Sequence, residues 1–395
     1  MTKKINFLNL GTQPLANNYL DKSQINKKES KYKLIVCFDK VSKLVSIRNT
    51  FSSKKMFNDK YPYRSSMSKT MINSFKKLSK KIIKKFKPKK ILEIGSNDGA
   101  FIKNFDKKMT IGIEPCSNVE KITKKLNYNT YSKYWSIDTA KKILLRHGNV
   151  DLIYAANTIS HIENLNEVFK AINILLNQKG ILIIEDPSLI ECLKNNTYDQ
   201  FYNEHIYVFS AIALSNILKK HQLEIFKIEK LAIHGGSNRY FIKKKNNNIR
   251  IDKSYNYHLN KEIKFGLTKI TTYNKFAQRV KKSKIELIKI LKKIKKKNEK
   301  IIGYGATAKS TTILNYCKID KKIIDYFVDT TKDKQNKLMP GTKIPIYKYK
   351  GKIEKKTKFI FLGAWNFKRE IFNKEKKFIK NGGKFIIHTP TPRII

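Results

Sequence analysis

Carboxylates are scarce in this chain, so those that line up with glycines carry information. Only 31 of the 395 residues are Asp or Glu and only 16 are Gly, yet Ile91-Leu-Glu-Ile-Gly-Ser-Asn-Asp-Gly99 holds two of each behind a short apolar run. It reads as a strand entering a glycine turn, the edge at which doubly wound sheets bind ligands. A dinucleotide fingerprint spaces glycines as G-x-G-x-x-G so that backbone can approach a pyrophosphate. The spacing here is Glu93-x-Gly95-x-x-x-Gly99, with Glu93 and Asp98 flanking Asn97, and carboxylates repel a pyrophosphate. They suit a cationic ligand with an ammonium and a ribose diol, as in S-adenosylmethionine. Glu114, closing Met109-Thr-Ile-Gly-Ile-Glu-Pro115, stands where an acid of such a sheet accepts from the ribose hydroxyls.

A second cluster could move protons. Gln200-Phe-Tyr-Asn-Glu-His-Ile-Tyr207 puts Tyr202, Glu204 and His205 within four positions, in a chain with seven histidines. An imidazole with an ordinary pKa near 6.5 can act as a general base at neutral pH, and a nearby acid or phenol can orient and tune it. The ordinary alternative is a satisfied core histidine beside an exposed acid. The turn after Val150-Asp-Leu-Ile-Tyr-Ala-Ala-Asn157 brings Asn157 and His161 to the same edge, and the strand ending at Glu185 and Asp186 brings two acids, Asp186 expected at the surface. His234-Gly-Gly-Ser-Asn-Arg239 is a bend whose paired glycines allow close backbone approach, so that His234, Ser237 and Arg239 could meet ligand oxygens, unless it is a plain hairpin. Gly303-Tyr-Gly-Ala-Thr-Ala-Lys309 fits G-x-G-x-x-A, with Asp329 ending the next strand. Taken alone it supports a second reading, an NAD(P)-dependent sugar-nucleotide oxidoreductase.

The elements that must position these groups follow from periodicity. Residues 1–66 read as a small strand-rich head, with 32–37 and 43–47 alternating like paired strands. Residues 67–250 alternate helix and strand: helix 69–86, strand 89–94, helix 98–106, strand 110–114, helix 117–126, then strands at 151–155, 180–185, 223–230 and 238–243. That order predicts an α/β fold with a parallel sheet. A Lys-rich helical stretch over 257–297 leads to a second strand-turn-helix, so 251–395 reads as a second Rossmann-like domain.

The formal charge of +53 invites a third reading, a non-enzymatic basic protein binding nucleic acid or an anionic surface. Its basic residues are 76 Lys and eight Arg spread through every segment. Sequence-specific nucleic-acid readers lean on Arg forks. Runs such as Lys292-Lys-Ile-Lys-Lys-Lys297 are better solvated helix faces, and no nucleic-acid partner is expected. No apolar run approaches the roughly 20 residues of a membrane helix, and the N-terminus lacks a signal-peptide core, so a cytoplasmic protein with no membrane partner is expected. Cys37, Cys116, Cys192 and Cys317 form no C-x-x-C.

Together these motifs resemble the three-part sugar C-methyltransferases of deoxysugar biosynthesis. The resemblance spans nearly the whole chain: Asn9-Leu-Gly-Thr-Gln-Pro-Leu-Ala-Asn17, Tyr61-Pro-Tyr63-Arg-Ser-Ser66, Leu92 to Gly99, Gly112-Ile-Glu-Pro115, Asn157 to His161, Tyr202-Asn-Glu-His205, His234-Gly-Gly-Ser237, Gly303 to Lys309, Pro340 to Ile346, and Trp365-Asn366. It implies a zinc-binding head, a class I methyltransferase domain that uses S-adenosylmethionine, and a C-terminal Rossmann-like domain that helps hold a nucleotide-linked keto-deoxysugar. The head departs from the family's two C-x-x-C pairs, keeping only Cys37-Phe-Asp-Lys40, so it is expected to fold without metal. Asn203 stands where the family usually has a further histidine. The reaction implied is removal of a proton next to the ketone by His205, tuned by Glu204, followed by methylation of the carbon. Tyr63, His161 and Tyr202 would donate to the enolate, and Lys309 and Arg239 would meet the substrate's phosphates. Neither the sugar nor the oligomeric state is legible.

Overall fold

The computed structural model describes residues 4–354 and 356–395. Helix Lys69–Phe86 shows how local chemistry builds the central unit. Met71, Phe75, Leu78 and Ile82 recur at helical spacing and are buried, while the lysines between them face water. Ser68 accepts the Met71 amide as N-cap, worth about 1 kcal/mol, and the helix stops at Lys87 in the left-handed region. It covers a seven-stranded sheet in the order Leu223–Leu231, Ser237–Lys244, Leu176–Pro187, Val150–Ala156, Ile91–Ile94, Thr110–Ile113, Thr130–Tyr131. The last five are parallel and buried on both faces; the first two form an antiparallel edge.

A six-stranded sheet forms the C-terminal unit, in the order Ile346–Lys348, Phe327–Asp329, Ile301–Tyr304, Phe359–Leu362, Lys384–Ile387, Arg393–Ile394, parallel except for its last strand. The head is antiparallel, and the expected pairing is present: Val36 opposes Ile47 and Phe38 opposes Val45. Its fourth strand, Tyr207–Val208, comes from just beyond the Tyr202 cluster, so the head is stitched to the central unit beside the predicted site. On its other side Phe7 and Phe38 pack on Tyr273 of helix Ile270–Lys295, and one continuous apolar core runs from the head into the C-terminal sheet. No helix among the described residues is long and apolar enough to cross a membrane.

Two expected helices differ. Residues 98–106 form only a short turn, Ile102–Asn104, because Gly99 has φ +78° and Asn104 donates its amide to the Ala100 and Phe101 carbonyls that a helix would use. Phe101 and Ile102 are buried as a plug, not as a helix face. The stretch 257–297 is two helices, Lys253–Phe265 and Ile270–Lys295, broken at Gly266 with φ +88°. Glu262 of the first accepts the amides of Ala211 and Ile212 at a central-unit helix N-terminus.

Candidate active site

The carboxyl ends of the central and C-terminal sheets open onto one cleft of about 450 Å3, and the head closes its third side. At the central edge Gly95, with φ +73°, turns the chain so that its amide and that of Ser96 reach the Ile113 carbonyl. A Cβ at Gly95 would meet Thr158 at 2.3 Å, so only glycine lets backbone pass here. Glu114 organises the loop, its two carboxylate oxygens accepting the Asn97 and Cys116 amides at 2.9 Å each. Burial raises its pKa while those amides pull it down. Glu93 is buried with one oxygen lacking a partner among the described residues, and burial, with the neighbouring acids, holds its pKa well above the carboxylate range. An orphaned acid beside a glycine cradle fits a ligand bearing an ammonium.

Asn97, Asn157 and His234 all line this cleft with φ near +50°. Left-handed backbone is costly for residues other than glycine, and at these three positions it shapes the wall. Asp98 and Gly99 lie behind the wall. Asp98 accepts the Ser66 amide and hydroxyl, and Asn97 accepts the Ser65 amide at 2.9 Å, so the pair pins the Tyr63–Ser66 segment over the loop.

The second cluster is an aromatic ladder. Phe57 of the head stacks on His161 (5.5 Å between centroids, 13°), His161 on His205 (5.1 Å, 25°), and His205 lies against Tyr202 (4.0 Å). His205 Nδ1 is 2.8 Å from the Gln200 carbonyl, which can only accept, so Nδ1 carries the proton and Nε2 receives the Tyr202 hydroxyl at 2.6 Å. Burial, helped by His161 and Lys309, holds the His205 pKa well below its ordinary value, and burial takes His161 to about 4. Both imidazoles are neutral at neutral pH, as a base and a donor to an oxyanion need to be.

Glu204 departs from expectation. With Nδ1 committed to backbone, it does not hold the imidazole; it turns to the head, accepting Asn17 Nδ2 at 2.7 Å and the Tyr61 hydroxyl at 3.3 Å, and burial pushes its pKa up to about 7. Asp186 is also not a surface acid. Its strand is paired on both sides, and the carboxyl is buried against the Ser160 hydroxyl at 2.6 Å, with burial pushing it up to about 8. Arg239 is not in the cleft: its guanidinium is buried in ion pairs with Glu185 (2.6 Å) and Glu229 (3.2 Å), a desolvated cation being tolerable only when paired. Ser237 donates to the Ile233 carbonyl and is absent from the wall. His234 and Lys309 do line it, as does the half-exposed Tyr63.

Sequence reasoning missed Asn17, Tyr61, Thr158 and Lys334 on this wall. Asn17 and Tyr61 sit inside the motifs Asn9–Asn17 and Tyr61-Pro-Tyr63, so the signal was present but unassigned. At the C-terminal edge Asp329 repeats the Glu114 device, accepting the Ala306 and Thr331 amides at 2.8 Å each.

Cys37 is buried with its Sγ 3.3 Å from the Ser46 carbonyl, and no group of three or more His, Cys, Asp or Glu among the described residues could hold a metal ion.

Fold and cleft define a class I S-adenosylmethionine-dependent methyltransferase. Three family models match in tandem: "Putative zinc binding domain" over residues 1–57, "Methyltransferase domain" over 63–228 and "C-methyltransferase C-terminal domain" over 232–390. The C-methyltransferase NovU of Streptomyces niveus is 27% identical, over 99% of this chain and 94% of that protein. The chain is an S-adenosylmethionine-dependent methyltransferase whose three parts match, in order, the models of this arrangement. Solved structures with local likeness include an S-adenosylmethionine-dependent methyltransferase from Clostridium acetobutylicum (15% identity, TM-score 0.35, 44% of this chain and 92% of that one). Another is the magnesium protoporphyrin IX methyltransferase of Synechocystis with bound SAM (8%, 0.33, 44% and 79%).

Proposed function

We propose that this enzyme methylates a carbon next to the ketone of a nucleotide-linked keto-deoxysugar. The observation that carries the reading is the shared cleft: the Glu114 edge, the Tyr202–His205 ladder and the C-terminal edge at Lys309 line one space. Glu93, Gly95, Asn97, Glu114 and Asn157 would hold S-adenosylmethionine, which supplies an electrophilic methyl group when bound. The remaining chemistry falls to the chain. His205 Nε2, unprotonated and aimed by the Gln200 carbonyl, takes the proton α to the ketone once the Tyr202 hydroxyl turns from it to the substrate oxygen. Tyr202, Tyr63 and His161 donate to the developing enolate oxygen, each donor worth about 3 kcal/mol in a dry site. Lys309 and His234 face the diphosphate. The similarity over the whole chain to NovU, a C-methyltransferase, supports carbon as the acceptor.

The test is a stability screen with S-adenosylhomocysteine and a panel of nucleoside diphosphates and their keto-deoxyhexoses, because a ligand that binds the folded state raises its apparent stability. A shift with S-adenosylhomocysteine that grows further with one sugar nucleotide is expected. A shift with nicotinamide dinucleotides instead would contradict the reading.

A further inference from the structure

Glu204 separates two cavities. In front is the reaction cleft; behind is a smaller cavity of about 70 Å3. Asn17, Tyr61, Pro62 and Glu204 belong to the walls of both. The inner end of the small cavity is buried, with Asn203 1% and Glu204 3% exposed, whereas Asn18, Lys55 and Lys60 on its outer wall face solvent. The small cavity therefore spans from a solvent-facing wall to the back of Glu204.

Asn203 supplies an independent observation. Its carboxamide oxygen and nitrogen are both buried, and neither has a hydrogen-bond partner among the described residues. Buried side-chain polar groups are nearly always partnered. Asn203 lines the small cavity and not the cleft, and an ordered water needs roughly 10–15 Å3, so the cavity has room for several. Asn203, Asn58 and Glu204 are the polar groups that a water held there would meet.

Carbon methylation has a proton to dispose of. When C–H becomes C–CH3, the C–H electron pair forms the new C–C bond and one proton remains to be removed each turnover. That proton lands on His205, whose two nitrogens are held by the Gln200 carbonyl and the Tyr202 hydroxyl. Tyr202 and Glu204 line the same cleft, and burial, then the Glu204 carboxylate, raises the phenol's pKa. Lys334, Tyr19, Tyr61, Tyr202 and Cys116 are the titratable groups facing Glu204, and only Lys334 among them favours its ionised form by charge.

We propose that Glu204 and the cavity lined by Asn203 form a proton outlet, a role that rests on the enolate reading above. His205 Nε2 returns its proton to the Tyr202 oxygen as Tyr202 passes its own to Glu204, and Glu204 releases one to cavity water and thence to solvent, leaving every group as it began. A carboxyl that titrates near neutrality can both take and release that proton.

Asn203→Leu is close in size and removes the polar wall without touching Tyr202, Glu204 or His205. The readout is deuterium wash-in from heavy water at the carbon beside the ketone, followed by NMR with S-adenosylhomocysteine present. The probe is the nucleoside-diphosphate keto-deoxyhexose that gives the largest stability shift. A blocked outlet returns the same proton to carbon, so wash-in should fall about tenfold or more. Probe affinity by calorimetry should stay unchanged, and Asn203→Ser should restore most of the rate. Wash-in at the wild-type rate in folded Asn203→Leu overturns the outlet. Should that variant fail to fold, Asn58→Leu on the half-buried wall is judged by the same criteria. No wash-in by the wild-type enzyme overturns the enolate reading instead, so the two failures are distinct.

Discussion

At the scale of single residues, burial decides what each ionisable group can do. His205 and His161 are neutral because the stacked ladder keeps water away, and Glu204 is lifted towards neutrality by the same dryness. His205→Asn should keep S-adenosylhomocysteine affinity within about threefold by calorimetry while turnover falls by about 100-fold or more, the usual range for a lost general base. Undiminished turnover would reassign the base. Asp186 gives a stability test. Its folded pKa, about 8, lies above the unfolded value, so the stability it lends is complete below the unfolded pKa and is lost as pH rises through 8. Asp186→Asn, which still accepts from Ser160, should stabilise the fold more at pH 9 than at pH 5, the two gains in unfolding free energy differing by an amount on the order of a few kcal/mol. An equal effect at both pH values would mean that the carboxyl is ionised throughout. Residue types at motif positions were legible in the sequence. Their partners were not, because Arg239 and Asp186 took their roles from strand pairing that no local pattern encodes.

At the scale of elements, the strand-turn at Ile91–Gly99 does the positioning. Gly95→Ala would set a methyl group 2.3 Å from Thr158 Oγ1 on backbone at φ +73°. The variant should lose about 1–3 kcal/mol of stability and bind S-adenosylhomocysteine at least about tenfold more weakly. Adding Thr158→Ala should recover part of the affinity, since it removes the collision and leaves the strain. Full retention of affinity in Gly95→Ala alone would show that the turn is not the cofactor's cradle. The apolar period gave this strand, the Lys69–Phe86 helix and the paired head strands. It misread 98–106, where Phe101, Ile102 and Phe105 have helix-like spacing but Asn104 competes for the backbone.

At the scale of the whole molecule, the active cleft is completed by all three parts. The head provides Asn17 and Tyr61 to Glu204 and Phe57 to His161, and the C-terminal unit provides Lys309. The head in turn reaches the C-terminal unit through Tyr19, whose hydroxyl donates to the Ala306 carbonyl at 2.7 Å. The head thus bridges the other two units beside the cleft. Both head donors favour the Glu204 carboxylate, so removing them should raise its pKa further. Tyr61→Phe with Asn17→Ala should move the acid limb of the pH–rate profile upward by about one pH unit, with S-adenosylhomocysteine affinity unchanged. An unmoved limb would detach Glu204 from the reaction. The two doubly wound edges could be read from their glycines and acids; that they face each other across one cleft could not, because domain docking rests on contacts far apart in sequence. The central claim is that a methyl group goes to carbon. The direct measurement is an NMR spectrum of the product formed from 13C-methyl-labelled S-adenosylmethionine and the keto-deoxyhexose nucleotide that stabilises the enzyme most. The account predicts a labelled methyl bonded to the ring carbon beside the ketone; a methyl on oxygen or nitrogen would contradict it.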